Sequence, residues 1–169
     1  LGTIAIGSDD TIYVLDGVHK NIKVFSPNGT FLGAIINHNL SNGTQGMALA
    51  EDGTFWLTDR RNRAIYQMDT KGNLLFTIDV GEPGEGPGQF APDSPDDIAI
   101  GPDGNLYIFD GQGEYSTNYY GIGRIQVFDT EGNYLREFPT TQPDSISHND
   151  EVFIAIDSAG NIYAADSHE

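Results

Sequence analysis

Short apolar runs separated by polar turns fill this chain, and the runs repeat one another. Four segments align without a gap: Thr11-Ile-Tyr-Val-Leu-Asp16, Thr54-Phe-Trp-Leu-Thr-Asp59, Asn105-Leu-Tyr-Ile-Phe-Asp110 and Asn161-Ile-Tyr-Ala-Ala-Asp166. Each carries an aromatic residue three positions before its aspartate. A second apolar run precedes each one: Ile4-Ala-Ile6, Met47-Ala-Leu49, Ile98-Ala-Ile100 and Ile154-Ala-Ile156. Runs this short, rich in β-branched and aromatic residues and bounded by turn residues, predict strands. The turns between them include Glu51-Asp-Gly53, Pro102-Asp-Gly104 and Ser158-Ala-Gly160. Glycine at that place accepts the positive φ that a tight hairpin demands.

A third run follows at Ile22-Lys-Val-Phe25, Ile65-Tyr-Gln-Met68 and Ile125-Gln-Val-Phe128. It leads through Pro27-Asn-Gly29, Lys71-Gly72 or Glu131-Gly132 to a fourth, from Phe31 to Ile35, Leu74 to Ile78 and Tyr134 to Phe138. Each unit therefore predicts a four-stranded antiparallel meander, its strands named A to D. The repeated aspartates lie 43, 51 and 56 positions apart. That spacing suits propeller blades of about 40–50 residues with the excess held in loops. Strands A and B are apolar on both sides, as a sheet covered on both faces requires. Ala5, Ala48, Ala99 and Ala155 recur at one place in strand A, where converging inner strands leave little room. A two-sheet sandwich is the alternative fold, but it does not account for a motif repeated four times.

The expected fold is thus all-β: a β-propeller of four-stranded antiparallel blades, three complete, plus the A and B strands of a fourth. The chain, 1–169, reads as a single partial propeller domain. Its blades cover about 2–36, 45–80 and 96–139, with a half blade at about 151–169.

Charge changes the picture next. Twenty-five acidic residues stand against 8 basic ones, a net charge of −17. Such a surface repels phosphate backbones and anionic lipid, so neither nucleic acid nor membrane is an expected partner. Only Lys20, Lys23, Arg60, Arg61 and Arg63 approach a basic patch. No apolar run nears the ~18 residues of a membrane-spanning helix, and no signal peptide is expected in this stretch. The absence of cysteine excludes a disulfide scaffold and a thiolate metal site. The acidity suits an extracellular or cell-surface setting. Glycosylation sequons occur at Asn28, Asn39 and Asn42.

The stretch Gly81-Glu-Pro-Gly-Glu-Gly-Pro-Gly-Gln-Phe90, with Pro95-Asp-Asp-Ile-Ala-Ile100, Asp103-Gly-Asn-Leu-Tyr-Ile-Phe-Asp110 and Arg124-Ile-Gln-Val-Phe-Asp129, closely resembles the NHL repeat consensus. The other blades match it more loosely, and together they cover nearly the whole chain. The resemblance implies a propeller, most often six-bladed. It does not imply one function, because the fold hosts lyases, hydrolases, RNA binders and adaptors. Against a six-bladed ring, this chain reads as a fragment of a longer propeller; the alternative is that its open blade ends pair with another chain.

In a meander blade the A–B and C–D turns emerge on one side, and the B–C and D–A connections on the other. The extra length lies wholly in the second set: Asn37 to Gln45, Gly81 to Asp96, Gly111 to Gly123 and Pro139 to Glu151. Function tends to sit on elaborated loops over a rigid scaffold. Glu114, Tyr115, Tyr119 and Tyr120 form a tyrosine-rich loop suited to partner contact, with His38 and His148 as further ligand-binding candidates. A divalent metal is a further expectation; it would require His38 and His148 to converge with carboxylates such as Asp96, Asp150 or Glu151. His19 and His168 read as structural or exposed. The repeated Asp16, Asp59, Asp110 and Asp166 read as turn-capping carboxylates. The glycines of 81–88 precede a strand and carry glutamates, so they are no phosphate cradle.

Three functions follow. The first is a non-catalytic propeller that binds a protein, peptide or glycan through the long D–A and B–C loops. The second is a metal-dependent lyase or hydrolase resembling the peptidyl-hydroxyglycine lyase branch of NHL propellers, which uses histidine-bound metal. The histidines that branch implies at the starts of A strands are replaced here by Gly46, Asp97 and Phe153. The third is a structural subunit that assembles through open blade ends.

Overall fold

A computed structural model describes residues 2–84, 86–111, 123–139 and 152–166. Among these there are fourteen strands and no helix. Strands β1 (Ile4–Ile6), β2 (Ile12–Asp16), β3 (Asn21–Phe25) and β4 (Phe31–Ile36) form the first antiparallel sheet. The second comprises β5 (Thr44–Leu49), β6 (Phe55–Asp59), β7 (Ala64–Met68) and β8 (Leu74–Asp79). In the third are β9 (Ile98–Ile100), β10 (Leu106–Asp110), β11 (Arg124–Phe128) and β12 (Tyr134–Pro139). Finally β13 (Val152–Ile156) pairs with β14 (Ile162–Asp166). These are the three four-stranded blades and the A–B pair expected from the repeat.

The register repeats as closely as the sequence. In every blade the alanine of strand A lies opposite the aromatic of strand B: Ala5 with Tyr13, Ala48 with Trp56, Ala99 with Tyr107, Ala155 with Tyr163. All three C–D pairs shift register at one place, between Val24 and Phe25, Gln67 and Met68, and Val127 and Phe128. Such bulges bend a strand and increase its twist. Strand β5 begins earlier than its apolar run, because Thr44 pairs with Asp59 across an irregularity that ends at Met47.

Contacts divide the chain into two compact units, Leu1–Asp79 and Val80–Glu169. In the first, Leu15, Ile22 and Ile35 pack with Leu40, Met47, Phe55, Leu57 and Met68, so one face of the first blade closes on the second. In the second, Tyr107, Phe109, Ile125 and Val127 pack against Val152 and Ile154. Burying one such side chain is worth about 1.5–3 kcal/mol. The opposite face of the first blade is different, with Ile4 and Ile6 exposed.

The short turns share one construction. In the A–B turns Asp9, Asp52 and Asp103 accept the amide of the residue two further on, at 3.1, 2.9 and 3.2 Å. In the C–D turns Asp69 and Asp129 accept the amides of Asn73 and Asn133, each at 2.8 Å. Side-chain and backbone hydrogen bonds to Thr54 hold the Asp52 carboxyl below the ordinary range, and those to Asn73 and Asn133 do the same for Asp69 and Asp129. Two turns are capped differently, Ser26 Oγ accepting the Thr30 amide and Asp157 that of Asn161, and a further residue departs in conformation. After Asp52 and Asp103 the chain turns at Gly53 and Gly104 with φ of 83° and 76°, whereas after Asp9 it turns at Asp10 with φ of 64°. A side chain in that region costs about 1–2 kcal/mol, less for aspartate than for most. Asp10→Gly is therefore expected to raise stability by about 0.5–1 kcal/mol, and Gly53→Ala to lower it by about 1–2 kcal/mol. Urea midpoints check both; a lower midpoint for Asp10→Gly contradicts the reading.

Candidate functional site

Among the described residues, the connections of the first three blades are organised around the aspartate at the end of strand B. Asp59 is fully buried, and its donors come from two directions. Ser41 gives its amide at 2.8 Å and its hydroxyl, and Thr44 gives its hydroxyl at 3.0 Å. From the B–C turn come the amides of Arg61 at 3.1 Å and Asn62 at 3.0 Å. The carboxylate thus ties the incoming D–A connection to the outgoing B–C turn. Asp110 repeats half of this with other residues. It accepts the Ala91 amide at 2.8 Å, Arg124 Nε at 2.9 Å and Gln126 Nε2 at 3.1 Å. Arg124 and Gln126 also reach the Gln89 carbonyl, each at 2.6 Å. The residue before each clamped amide is a buried apolar plug, Leu40 or Phe90, with Phe90 stacked on Phe128 at 5.7 Å.

Asp16 holds the equivalent place in the first blade with a different set of partners. Lys23 Nζ lies at 2.6 Å, His19 Nδ1 at 2.9 Å and the His19 amide at 3.1 Å. Lys23, Tyr66 and Gln126 occupy one position of strand C, opposite Val14, Leu57 and Ile108. The Lys23 ammonium, ahead of His19, lowers the Asp16 carboxyl to about 2, while burial raises that of Asp110 despite Arg124. At Asp16 and Asp59 a turn-capping role fits, since both accept amides of the following turn. At Asp110 the described donors belong instead to the incoming segment and strand C. Asp166 ends β14; its side chain lies outside the described residues. Sequence reasoning missed the strap-holding role. Its signal is an apolar–small pair, Leu40-Ser41 or Phe90-Ala91, 18 or 19 positions before the aspartate.

The remaining candidates divide cleanly. Glu114, Tyr115, Tyr119, Tyr120, His148, Asp150, Glu151 and His168 lie outside the described residues. His38 is exposed on the connection after β4. Asp96 accepts the Ser94 hydroxyl at 3.1 Å and the Gly111 amide at 2.9 Å, so it braces its own loop. Asp97, where the lyase branch implies histidine, accepts the Ile154 amide at 2.8 Å and links the third and fourth blades. Among the described residues no group of three or more histidine, aspartate or glutamate side chains is arranged to hold a metal ion. The described residues do not fit a histidine-bound metal.

No protein-family profile matches the chain. A probable peptidyl-alpha-hydroxyglycine alpha-amidating lyase of Caenorhabditis elegans is 27% identical over 95 residues, covering 54% of this chain and 24% of that protein. Among solved structures, a chain of a nidogen/laminin complex superposes with a TM-score of 0.67 at 22% identity, covering 97% of this chain and 56% of the other. Virginiamycin B lyase from Staphylococcus aureus gives 0.58 at 16% identity, over 96% and 54%. The chain spans about a quarter of the curated relative and about half of each of these structures. The architecture these structures share with the chain is that of a β-propeller.

The clamp separates the three aspartates energetically. Asp59→Ala strands several buried donors, and Asp110→Asn breaks a buried ion pair; each is expected to cost about 3–5 kcal/mol. Asp16→Asn costs at most about 1 kcal/mol at neutral pH. Equal losses at all three, read from urea denaturation, contradict the clamp. Asp16 also has a pH signature. Its folded pKa of about 2 lies below the ordinary unfolded value of about 3.9, so its contribution is complete above that value and disappears as pH falls toward 2. Asp16→Asn is expected to flatten the decline in urea midpoint between pH 4 and 2; an unchanged decline contradicts it.

Proposed function

We propose that this chain is part of a non-catalytic propeller whose long D–A and B–C connections bind a protein partner outside the cytoplasm. The observation that carries the reading is one-sided elaboration. The A–B turns close with one repeated backbone hydrogen bond, from Gly7 to Thr11, Ala50 to Thr54, Gly101 to Asn105 and Asp157 to Asn161. The extra length of the sequence falls in the D–A and B–C connections, and two of the described connections are clamped by buried carboxylates. A rigid base under variable loops is how many scaffolds present recognition surfaces. The likeness to a propeller solved in a nidogen/laminin complex supports a protein partner over a peptide or glycan.

Within those loops Tyr115, Tyr119 and Tyr120 are the proposed contact residues, and Glu114, His38 and His148 are further candidates. Peptides selected against the chain from a display library provide the test. Replacing the three tyrosines together by alanine is expected to weaken the selected peptides by more than about tenfold with the fold unchanged by circular dichroism. Undiminished binding contradicts the site.

A second reading is metal-dependent lyase chemistry, favoured by the likeness to the Caenorhabditis elegans lyase. Zinc bound at one equivalent through His38 or His148, lost in their alanine variants, supports it. Metal-free protein of unchanged stability counts against it.

A further inference from the structure

The transverse rows of the blades reveal a place where one side chain is missing. On the face that strands A to D share, the rows read Ala5, Tyr13, Val24, Gly33; Ala48, Trp56, Gln67, Phe76; and Ala99, Tyr107, Val127, Arg136. In two of the three rows the last residue covers the aromatic of strand B. Phe76 meets Trp56 edge-on at 6.5 Å. Arg136 gives Nη2 to the Tyr107 hydroxyl at 2.8 Å and lies 3.5 Å from the Asp103 carboxylate. Its guanidinium sits 5.9 Å from the Tyr107 ring centroid and 5.4 Å from that of Phe138. Tyr107 donates in turn to Asp103 at 3.1 Å.

The first blade has the same acid and the same aromatic, Asp9 and Tyr13, but glycine replaces the arginine. Apart from its own chain neighbours, no atom lies within 4 Å of the position a Cβ would take at Gly33, whose φ of 150° is one that side chains rarely adopt. Beside Asp9 and Tyr13 opens a groove of about 460 Å³, lined also by Ser8, Leu49, Glu51 and Thr70. It therefore combines a tyrosine ring and an apolar floor with carboxylates contributed by two successive blades. The hydrogen bonds from Thr11 hold the Asp9 carboxyl below the ordinary range, so it is charged at neutral pH.

We propose that this groove is a second binding site, at the short-turn side of the blades, for the guanidinium of an arginine side chain presented by a protein partner. The chain itself supplies the template, because its third blade satisfies the same Asp–Tyr pair with Arg136. A guanidinium suits the place for general reasons as well. Its planar fork pairs with carboxylate and lies over aromatic faces, and its stem covers apolar surface. The net charge of −17 draws cationic partners toward the surface. This inference stands independently of the long-loop site, since no residue is shared.

The test is a titration with Nα-acetyl-L-arginine methylamide, followed through the ring resonances of Tyr13 by NMR. Saturable shifts are expected, weakening as salt is added. The citrulline counterpart, equal in shape but uncharged, is expected to give none. Asp9→Asn should weaken binding by about tenfold, in keeping with the loss of one charged hydrogen bond. Free L-arginine adds a carboxylate and an ammonium that a residue within a chain lacks, and should bind no more tightly than the capped form. No saturable shift at Tyr13, equal binding of citrulline, or undiminished binding by Asp9→Asn overturns the site. Tighter binding of free L-arginine overturns its assignment to a partner's side chain.

Discussion

Two carboxylates hidden from solvent, Asp59 and Asp110, hold the connections between blades in place, and much of the remaining architecture depends on them. A buried carboxylate is costly unless donors surround it. Here the donors come from the strap entering the blade, and at Asp59 also from the turn that follows strand B. That geometry converts a long, polar connection into a fixed part of the blade. It also drives an apolar plug, Leu40 or Phe90, into the core beside the strap. Clamp and plug act together, since neither the amide nor the plug can leave without exposing the other's partner.

The repeat supplies a lattice, and substitutions within it create individuality. One position of strand C reaches toward the clamp as lysine, tyrosine or glutamine. Lys23 and Gln126 bond the carboxylate directly, whereas Tyr66 accepts from Asn62, which itself bonds Asp59. One position of strand D, opposite the aromatic row, is glycine, phenylalanine or arginine, and only the last two cover the ring. These exchanges leave the meander unchanged, because each side chain projects from a fixed register. They do change which groups remain available to a partner, and the Asp9–Tyr13 pair lacks the arginine that its counterpart in the third blade has.

Much of this was legible in the sequence. The Ile-Ala-Ile runs, the Asp-Gly turns and the Asp at the end of strand B are local signals, and they marked the strands to within one or two residues at most boundaries. What escaped was non-local. Thr44 extends β5 because it pairs with Asp59, a partner fifteen residues away that no apolar pattern announces. Lys20 and Arg63 adopt φ of 56° and 51° in the B–C turns, where no glycine signals the left-handed conformation. The strap-holding role of Asp59 and Asp110 was hidden behind a simpler job, capping a turn, that an aspartate at a strand end performs equally well. Asp96, read as a ligand candidate, braces its own loop through Ser94 and Gly111, and only coordinates reveal such partners.

The functional reading rests on the contrast between uniform short turns and varied long connections anchored by the clamp. Hydrogen exchange at single amides tests that anchoring most directly. The amides of Ser41 and Ala91 belong to no strand, yet the account predicts that they exchange as slowly as the amides of β6 and β10, because a buried carboxylate accepts each of them. Exchange at the rate of ordinary exposed loop amides would contradict it, and the connections would then be loose tethers rather than parts of the blades.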